Sequence, residues 1–374
     1  MFTDRTDRLR LVEAAGSPNE IGLQLGRFGA AAVHGHLVGT RAWAAITAHR
    51  HDERVQGMAA QVRARFPAIM AEIEGLAEGL GLPVDAVFAW NCRGDIAAMA
   101  PDGCTTVQVP GAFSDEVDAG SSQKMRQDQR PGARHDCSAI VTRSRPRIVV
   151  AHNEDGDPGF RGACGLLRAR PDQGIGFTAF VYPGSIPGHT FAATEAGLVQ
   201  TVNNIRSRRM GDGLPRMVLT RAVLDCASLD AAVALVGEGP RAGAFHLTLA
   251  QSGDPRLLGV EFTGARVSVR RIAEPALHAN HLVHADMADE PQIVTDSSGS
   301  RQVRGDALVA QGQAERDPLA TLRDTGGEGL PIRRDDPHDP DDENTLATAV
   351  FVIEGDRLDW SVHGATEEWA RFTG

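Results

Sequence analysis

Four short stretches carry residue types and spacings capable of covalent chemistry. In Asp102-Gly103-Cys104-Thr105-Thr106 a thiol directly follows a glycine, between a helical region and a β-branched run. Glycine frees the backbone there to adopt unusual conformations. A strained Gly103–Cys104 peptide bond is open to attack by the Cys104 thiol, which moves the acyl group from nitrogen to sulfur. Hydrolysis then leaves Cys104 as a new N-terminus. Its α-amine, with a reference pKa of about 8, can serve as base for its own thiol. The same residues also suit a cysteine simply buried at a turn-to-strand junction. The second stretch, His152-Asn153-Glu154-Asp155-Gly156-Asp157-Pro158, follows an apolar run. Polar side chains after a buried strand line many sites, although Asn, Asp and Gly also form ordinary turns.

The third stretch is His278-Ala279-Asn280-His281-Leu282-Val283-His284. A buried Asn280 amide is a good donor to a developing oxyanion. Alternatively His278, His281 and His284, spaced by three, bind zinc with Asp155. On an extended segment residues i and i+3 face opposite ways, which weighs against zinc, and no HExxH is present. The fourth, Asn91-Cys92-Arg93-Gly94-Asp95, sits at a helix end, where Arg93 and Asp95 also suit a plain surface pair.

The elements that must position these residues fall into two textures. Residues 18–99 carry apolar side chains at helical spacing: Ile21, Leu23, Leu25, Phe28 and Ala32 over Pro18–Leu37, then Met58, Val62, Phe66, Ile69, Ile73 and Leu76 over Met58–Leu80. Gly81-Leu82-Pro83 stops the second, and another helix is expected from Val84 to about Cys92. After residue 100 short β-branched runs alternate with Gly and Pro, predicting strands at 105–109, 138–141, 148–152, 177–182, 198–202, 245–250, 257–262 and 267–272. Helices are predicted at 215–227 and 229–236, and a closing hairpin at 345–363 around Gly355-Asp356. Together these make a layered α+β fold. Residues 113–136 are polar and read as an insertion. Residues 312–344 read as a partly helical surface segment with an acidic loop.

Composition narrows the partners. A net charge of −11 leaves no basic footprint for nucleic acid. No run of 18 apolar residues predicts a membrane span, and the start has no apolar h-region of a secretory signal. Five cysteines without a CxxC pair predict reduced thiols and a cytoplasmic location. Lys124 is the only lysine, the other 37 basic residues being arginines, a bias that carries no function.

Taken in order, the motifs resemble the isopenicillin N acyltransferase (acyl-coenzyme A:6-aminopenicillanate acyltransferase) family of N-terminal-nucleophile (Ntn) hydrolases. Gly16-Ser17-Pro18-Asn19-Glu20-Ile21-Gly22 with Gly26 is similar to that family's opening. Asn91-x-Arg93-x-Asp95 resembles its Asn-x-Arg-x-Glu, and Asp102-Gly103-Cys104-Thr105-Thr106 its processing site. Asn153-x-Asp155 resembles its Asn-x-Asp. Glu195-Ala196-Gly197-Leu198 with Asn203 is similar to its Ala-Gly-Val strand and the Asn beyond it. His278-x-Asn280-His281 resembles its His-x-Asn-His, and Asp296-Ser297 with Arg301 a downstream element.

The resemblance covers nearly the whole chain. It implies a four-layer αββα sandwich with a helical N-terminal segment, autocatalytic cleavage, and hydrolysis or acyl transfer on a linear amide through a thioester. It further implies one structural domain, with residues 1–103 as the segment cleaved from 104–374. Cys104, Asp155 and Asn280 would be catalytic, with Asn91, Arg93, Asn153, Asn203 and His281 in support. No cofactor and no metal are needed, and the partner is a small-molecule amide or acyl donor.

Two registers stay open. In the family the nucleophile stands about 16 residues before the Asn of Asn-x-Asp. Cys104 lies 49 residues before Asn153, whereas Cys137, preceded by Asp136, lies 16 before it. Either Cys104 is the nucleophile and about 33 residues are inserted in its hairpin, or Cys137 is and the insertion lies upstream. A zinc hydrolase built on His278, His281 and His284, and a catalytically silent binding protein, are the other readings.

Overall fold

The computed structural model describes residues 9–97, 103–111 and 147–373. Cys137, the strand expected at 138–141 and the insertion at 113–136 lie outside the described residues. Fourteen strands are described: β1 (Arg10–Gly16), β2 (Gly103–Val109), β3 (Arg147–Gly156), β4 (Gly165–Pro171), β5 (Phe177–Val181), β6 (Phe191–Thr194), β7 (Leu198–Asn204), β8 (Phe245–Gln251), β9 (Leu257–Phe262), β10 (Val267–Arg271), β11 (Ala276–His278), β12 (Asn344–Glu354), β13 (Arg357–His363) and β14 (Glu368–Thr373). They form two sheets, ordered β1-β4-β5-β6-β7-β8-β9-β10 and β11-β2-β3-β12-β13-β14. Every pairing is antiparallel except that of β1 with β4.

The eleven described α-helices are α1 (Pro18–Gly35), α2 (Arg41–Thr47), α3 (Glu53–Arg65), α4 (Pro67–Leu80), α5 (Val84–Asn91), α6 (Arg93–Ile96), α7 (Arg216–Val223), α8 (Leu229–Gly237), α9 (Asp296–Ala310), α10 (Gln313–Arg316) and α11 (Pro318–Leu322). Helix α1 touches β1 and β4, and α8 touches β8 and β10, all in the eight-stranded sheet. Helices α9, α10 and α11 pack on β11, β2, β3 and β12 of the other sheet. The sheets meet where β2 faces β7 and β3 faces β8. The fold is thus mixed helix and sheet, with strands dominating after residue 100. No described helix is long and apolar enough to cross a membrane.

Local chemistry explains the ends. Ser17 caps α1 with a full capping box to Glu20. Helices α1 and α4 cross so closely that a Cβ on Gly22 would stand 2.0 Å from the Glu72 carbonyl oxygen, and one on Gly75 1.9 Å from that of Asn19. The helix expected over Met58–Leu80 is in fact two. Pro67 lacks the N–H that an interior turn must donate and serves as the first residue of α4 instead. The polar stretch from His152 lies within β3 as far as Gly156 rather than after the strand, and Asp157 and Pro158 begin a short 3₁₀ turn beyond it. β12 pairs with β3 as far as Gly156, and β2 covers the other side from Gly103, opposite Asp155, onward, so His152 to Asp155 have ladder partners on both edges.

Candidate active site

The two-residue alternation of β2 and β3 sorts their side chains between two environments. Cys104, Thr106, His152 and Glu154 point into the space between the sheets. There Thr106 Oγ1 donates to Asn203 Oδ1 (2.8 Å) and lies 2.8 Å from His152 Nδ1. Thr105, Asn153 and Asp155 point toward the helices: Arg301 of α9 reaches Thr105, and Asn153 Nδ2 donates to the Leu322 carbonyl of α11. The register places Cys104 opposite Glu154 and Gly103 opposite Asp155.

Cys104, 3% exposed, is held at each of its polar atoms. Its N–H donates to Asn280 Oδ1 at 2.9 Å. Its carbonyl accepts from Arg301 Nη1 at 2.7 Å. Its Sγ donates to Glu154 Oε2 at 3.7 Å, while Tyr182 donates its hydroxyl to Glu154 Oε1 at 2.9 Å. Arg301 also gives Nη1 to Thr105 Oγ1 and Nη2 to Asn280 Oδ1, both at 2.7 Å. One guanidinium therefore ties the cysteine and the asparagine into a single rigid unit.

Asp155 completes the cluster. Its Oδ1 accepts from Thr345 Oγ1 at 2.7 Å, and its Oδ2 lies 3.9 Å from Arg301 Nη1. That Oδ2 is buried and has no hydrogen-bond partner among the described residues. Burial raises the Asp155 pKa, and the nearby Arg301 charge opposes the rise. Burial also pulls His152 down to about 3, so its ring is neutral. An acceptor left open beside the cysteine is costly in an inert core, and it suits a group that must receive a proton or an ammonium.

The remaining expected residues divide. Asn280 is set by its neighbours: its N–H donates to Ser298 Oγ (2.9 Å), and its Nδ2 to the Asn204 carbonyl (3.0 Å). The Asn280 atom that faces Cys104 is thus the amide oxygen. His281 stands behind, with Nδ1 2.7 Å from the same Ser298 hydroxyl. Asn203 braces β2 through Thr106 and gives Nδ2 to the His278 carbonyl. Asn153 accepts from Thr348 and ties β3 to β12. Asn91 holds the segment after β5, donating to the Gly184 carbonyl and accepting from the Ile186 N–H. Arg93 lines a cleft with Leu37, Trp90, Phe160, Tyr182 and Pro183. It is buried there, not paired with Asp95 on the surface.

The zinc arrangement of His278, His281 and His284 is not formed. His278 Nε2 turns to Glu261 (2.9 Å), His281 to Ser298, and His284 Nδ1 to Ser268 (2.9 Å). After β11 ends at His278 the chain leaves the sheet, and each ring takes a different neighbour. Among the described residues the metal-capable side chains whose donor atoms come within 4.8 Å of one another are Cys104, His152 and Glu154. Three residues of the cluster carry little signal of their own in the sequence. Glu154 stands between Asn153 and Asp155, Tyr182 ends an apolar run, and Arg301 belongs only to a downstream resemblance.

The model of the acyl-coenzyme A:6-aminopenicillanic acid acyl-transferase family matches residues 141–367. That is more than half of the chain, and the chain belongs to this family. It is an enzyme of the acyltransferase kind. The matched segment contains Asp155, Asn280 and Arg301, and Cys104 lies upstream of it. No curated protein matches the chain.

The support behind Asn280 gives a pH test. Burial lowers the His281 pKa to about 4, so the folded chain holds it neutral while the unfolded chain takes up a proton below about 6.5. A depressed histidine makes folding less favourable as pH falls from about 6.5 to about 4. In His281→Asn the Ser298 contact is kept and the titration is gone. Its stability relative to the parent, measured by urea unfolding, is expected to rise between pH 7 and pH 5 by up to about 2 kcal/mol, less whatever water screens at this partly exposed ring. An identical pH slope in the two proteins would contradict this.

Proposed function

We propose that the chain is a cysteine Ntn enzyme of four-layer αββα design that acts on a linear amide through a thioester, with Cys104 as nucleophile. One observation carries the reading: the N–H, carbonyl and thiol of Cys104 are each gripped by a different polar group, beside a carboxylate oxygen with an open acceptor position. Any buried backbone N–H and C=O need partners, but a cysteine kept only for packing needs neither a carboxylate facing its thiol nor an open carboxylate oxygen nearby.

In maturation, the Cys104 thiol loses its proton to Glu154, and the sulfur attacks the Gly103 carbonyl carbon. The C–N bond breaks, Cys104 nitrogen takes the proton back from Glu154 and leaves as an amine, and water hydrolyses the resulting thioester to a Gly103 carboxylate and a free thiol. The proton formed with the Gly103 carboxylate leaves to solvent, and the new α-amine stays on Asn280 Oδ1 with Asp155 Oδ2 open to a second N–H. In turnover, the α-amine takes the thiol proton and the thiolate attacks the substrate amide. The amine leaving group departs with that proton, and water or an acceptor amine resolves the thioester. The apolar cleft ending at Tyr182, whose hydroxyl holds Glu154, suits an apolar acyl group. No cofactor enters this scheme.

Intact mass and N-terminal sequencing of the purified active protein test the proposal. Fragments of residues 1–103 and 104–374, the second starting at Cys104, are expected. An N-terminus at Cys137 would move the nucleophile there, in keeping with its 16-residue spacing to Asn153. An active chain that remains intact would remove processing.

A further inference from the structure

We propose that Cys104, His152 and Glu154 form a binding site for a borderline-soft divalent cation of the zinc type, which caps the thiol. The three side chains supply the sulfur, nitrogen and oxygen donors that zinc favours. Their spacing fits a single ion. His152 Nε2 and Glu154 Oε2 are 3.3 Å apart, and Cys104 Sγ and Glu154 Oε2 are 3.7 Å apart. Ligands around a tetrahedral ion with bonds of roughly 2.0–2.3 Å are separated by roughly 3.3–3.7 Å. The ion would take the place of the hydrogens that now join these atoms.

The surroundings orient the donors as metal ligands are usually oriented. His152 Nδ1 faces Thr106 Oγ1 at 2.8 Å, which leaves Nε2 toward Glu154. Tyr182 holds the far oxygen of Glu154, which leaves Oε2 toward the thiol and the imidazole. All three donors sit on neighbouring positions of two paired strands, so no loop has to close to assemble them. On binding, the thiol releases its proton to solvent and binds as thiolate, the imidazole carries its hydrogen on Nδ1, and water fills the fourth position. This site is distinct from the histidine arrangement of residues 278–284, whose rings point to separate neighbours.

Binding itself does not depend on the role proposed for Cys104, whereas inhibition by the bound ion does. The experiment is titration of the purified full chain with cobalt(II), followed by near-ultraviolet absorption, then displacement by zinc(II). A thiolate-to-cobalt band saturating at one equivalent is expected. Cys226→Ser should retain it and Cys104→Ser should lose it. Glu154→Gln, close in shape and able to fold, should weaken binding by at least about 10–100-fold. Absence of a band in the parent chain, a band that survives Cys104→Ser, or unchanged affinity in Glu154→Gln would overturn the site. Zinc that binds with these signatures and leaves turnover untouched would support the site and count against Cys104 as nucleophile.

Discussion

Cys104→Ala is expected to remain a single uncleaved chain with no measurable turnover, while folding as the parent does. Sulfur is the only atom at this position able to attack a carbonyl, and alanine removes it outright. The backbone grips survive the change, because Asn280 and Arg301 hold the Cys104 N–H and carbonyl rather than its side chain. Thermal unfolding close to that of the parent would therefore show that lost activity is chemical. Serine is a finer probe. Its hydroxyl still faces Glu154, but it is a far poorer nucleophile at neutral pH, so slow cleavage without useful turnover is expected from Cys104→Ser. Cys137→Ser is expected to mature and to turn over normally. The opposite pattern, with Cys137 essential and Cys104 dispensable, would establish the alternative register. Full activity in both variants would remove the thiol mechanism.

What could be read in advance followed the range of the underlying interactions. Periodicity is local, so α1, α5, β7 to β10 and the β12–β13 hairpin emerge from apolar spacing alone, within a few residues. The broken helix at Pro67 shows how one missing N–H outweighs a continuous apolar stripe. Strands β1, β4, β6, β11 and β14 are short or polar. They exist because a neighbouring edge satisfies their backbone groups, information that no short window of sequence holds. Helix α9 is hidden in the sequence for a related reason. Asp296-Ser297-Ser298-Gly299-Ser300-Arg301 looks like a loop, yet Ser297, Ser298 and Arg301 are buried because they serve Arg334, Asn280 and Cys104. The site divides the same way. Cys104, Asp155 and Asn280 stand in suggestive local contexts. Glu154, Tyr182 and Arg301 acquire meaning only when β2 lies beside β3 and α9 packs across them. The histidines at 278, 281 and 284 drew attention by their spacing, but an extended chain does not bring i and i+3 together, and each found its own partner.

Asn280→Ala is expected to lower kcat by about 10²–10³-fold with little change in fold, and a companion variant decides why. Asn280 performs two separable tasks. Its Oδ1 accepts from the Cys104 N–H and from Arg301 Nη2, and its Nδ2 donates to the Asn204 carbonyl with a second N–H left to give. Alanine abolishes both. Asn280→Asp keeps the accepting oxygen and strengthens the contact with Arg301, yet has no N–H for an oxyanion and sets a second oxygen against the Asn204 carbonyl. If the donor matters, because charge developing on the substrate oxygen must be met by an N–H, Asn280→Asp should be as impaired in kcat as Asn280→Ala. If the acceptor matters, because the Cys104 nitrogen must be held in line, Asn280→Asp should retain most of its turnover while Asn280→Ala loses it. The geometry fixes the acceptor task in the intact chain, and the chemistry of acyl transfer demands a donor. We therefore expect the aspartate variant to mature more completely than the alanine variant, yet to show a similar loss in steady-state kcat. An unchanged kcat in Asn280→Ala would remove this residue from the site.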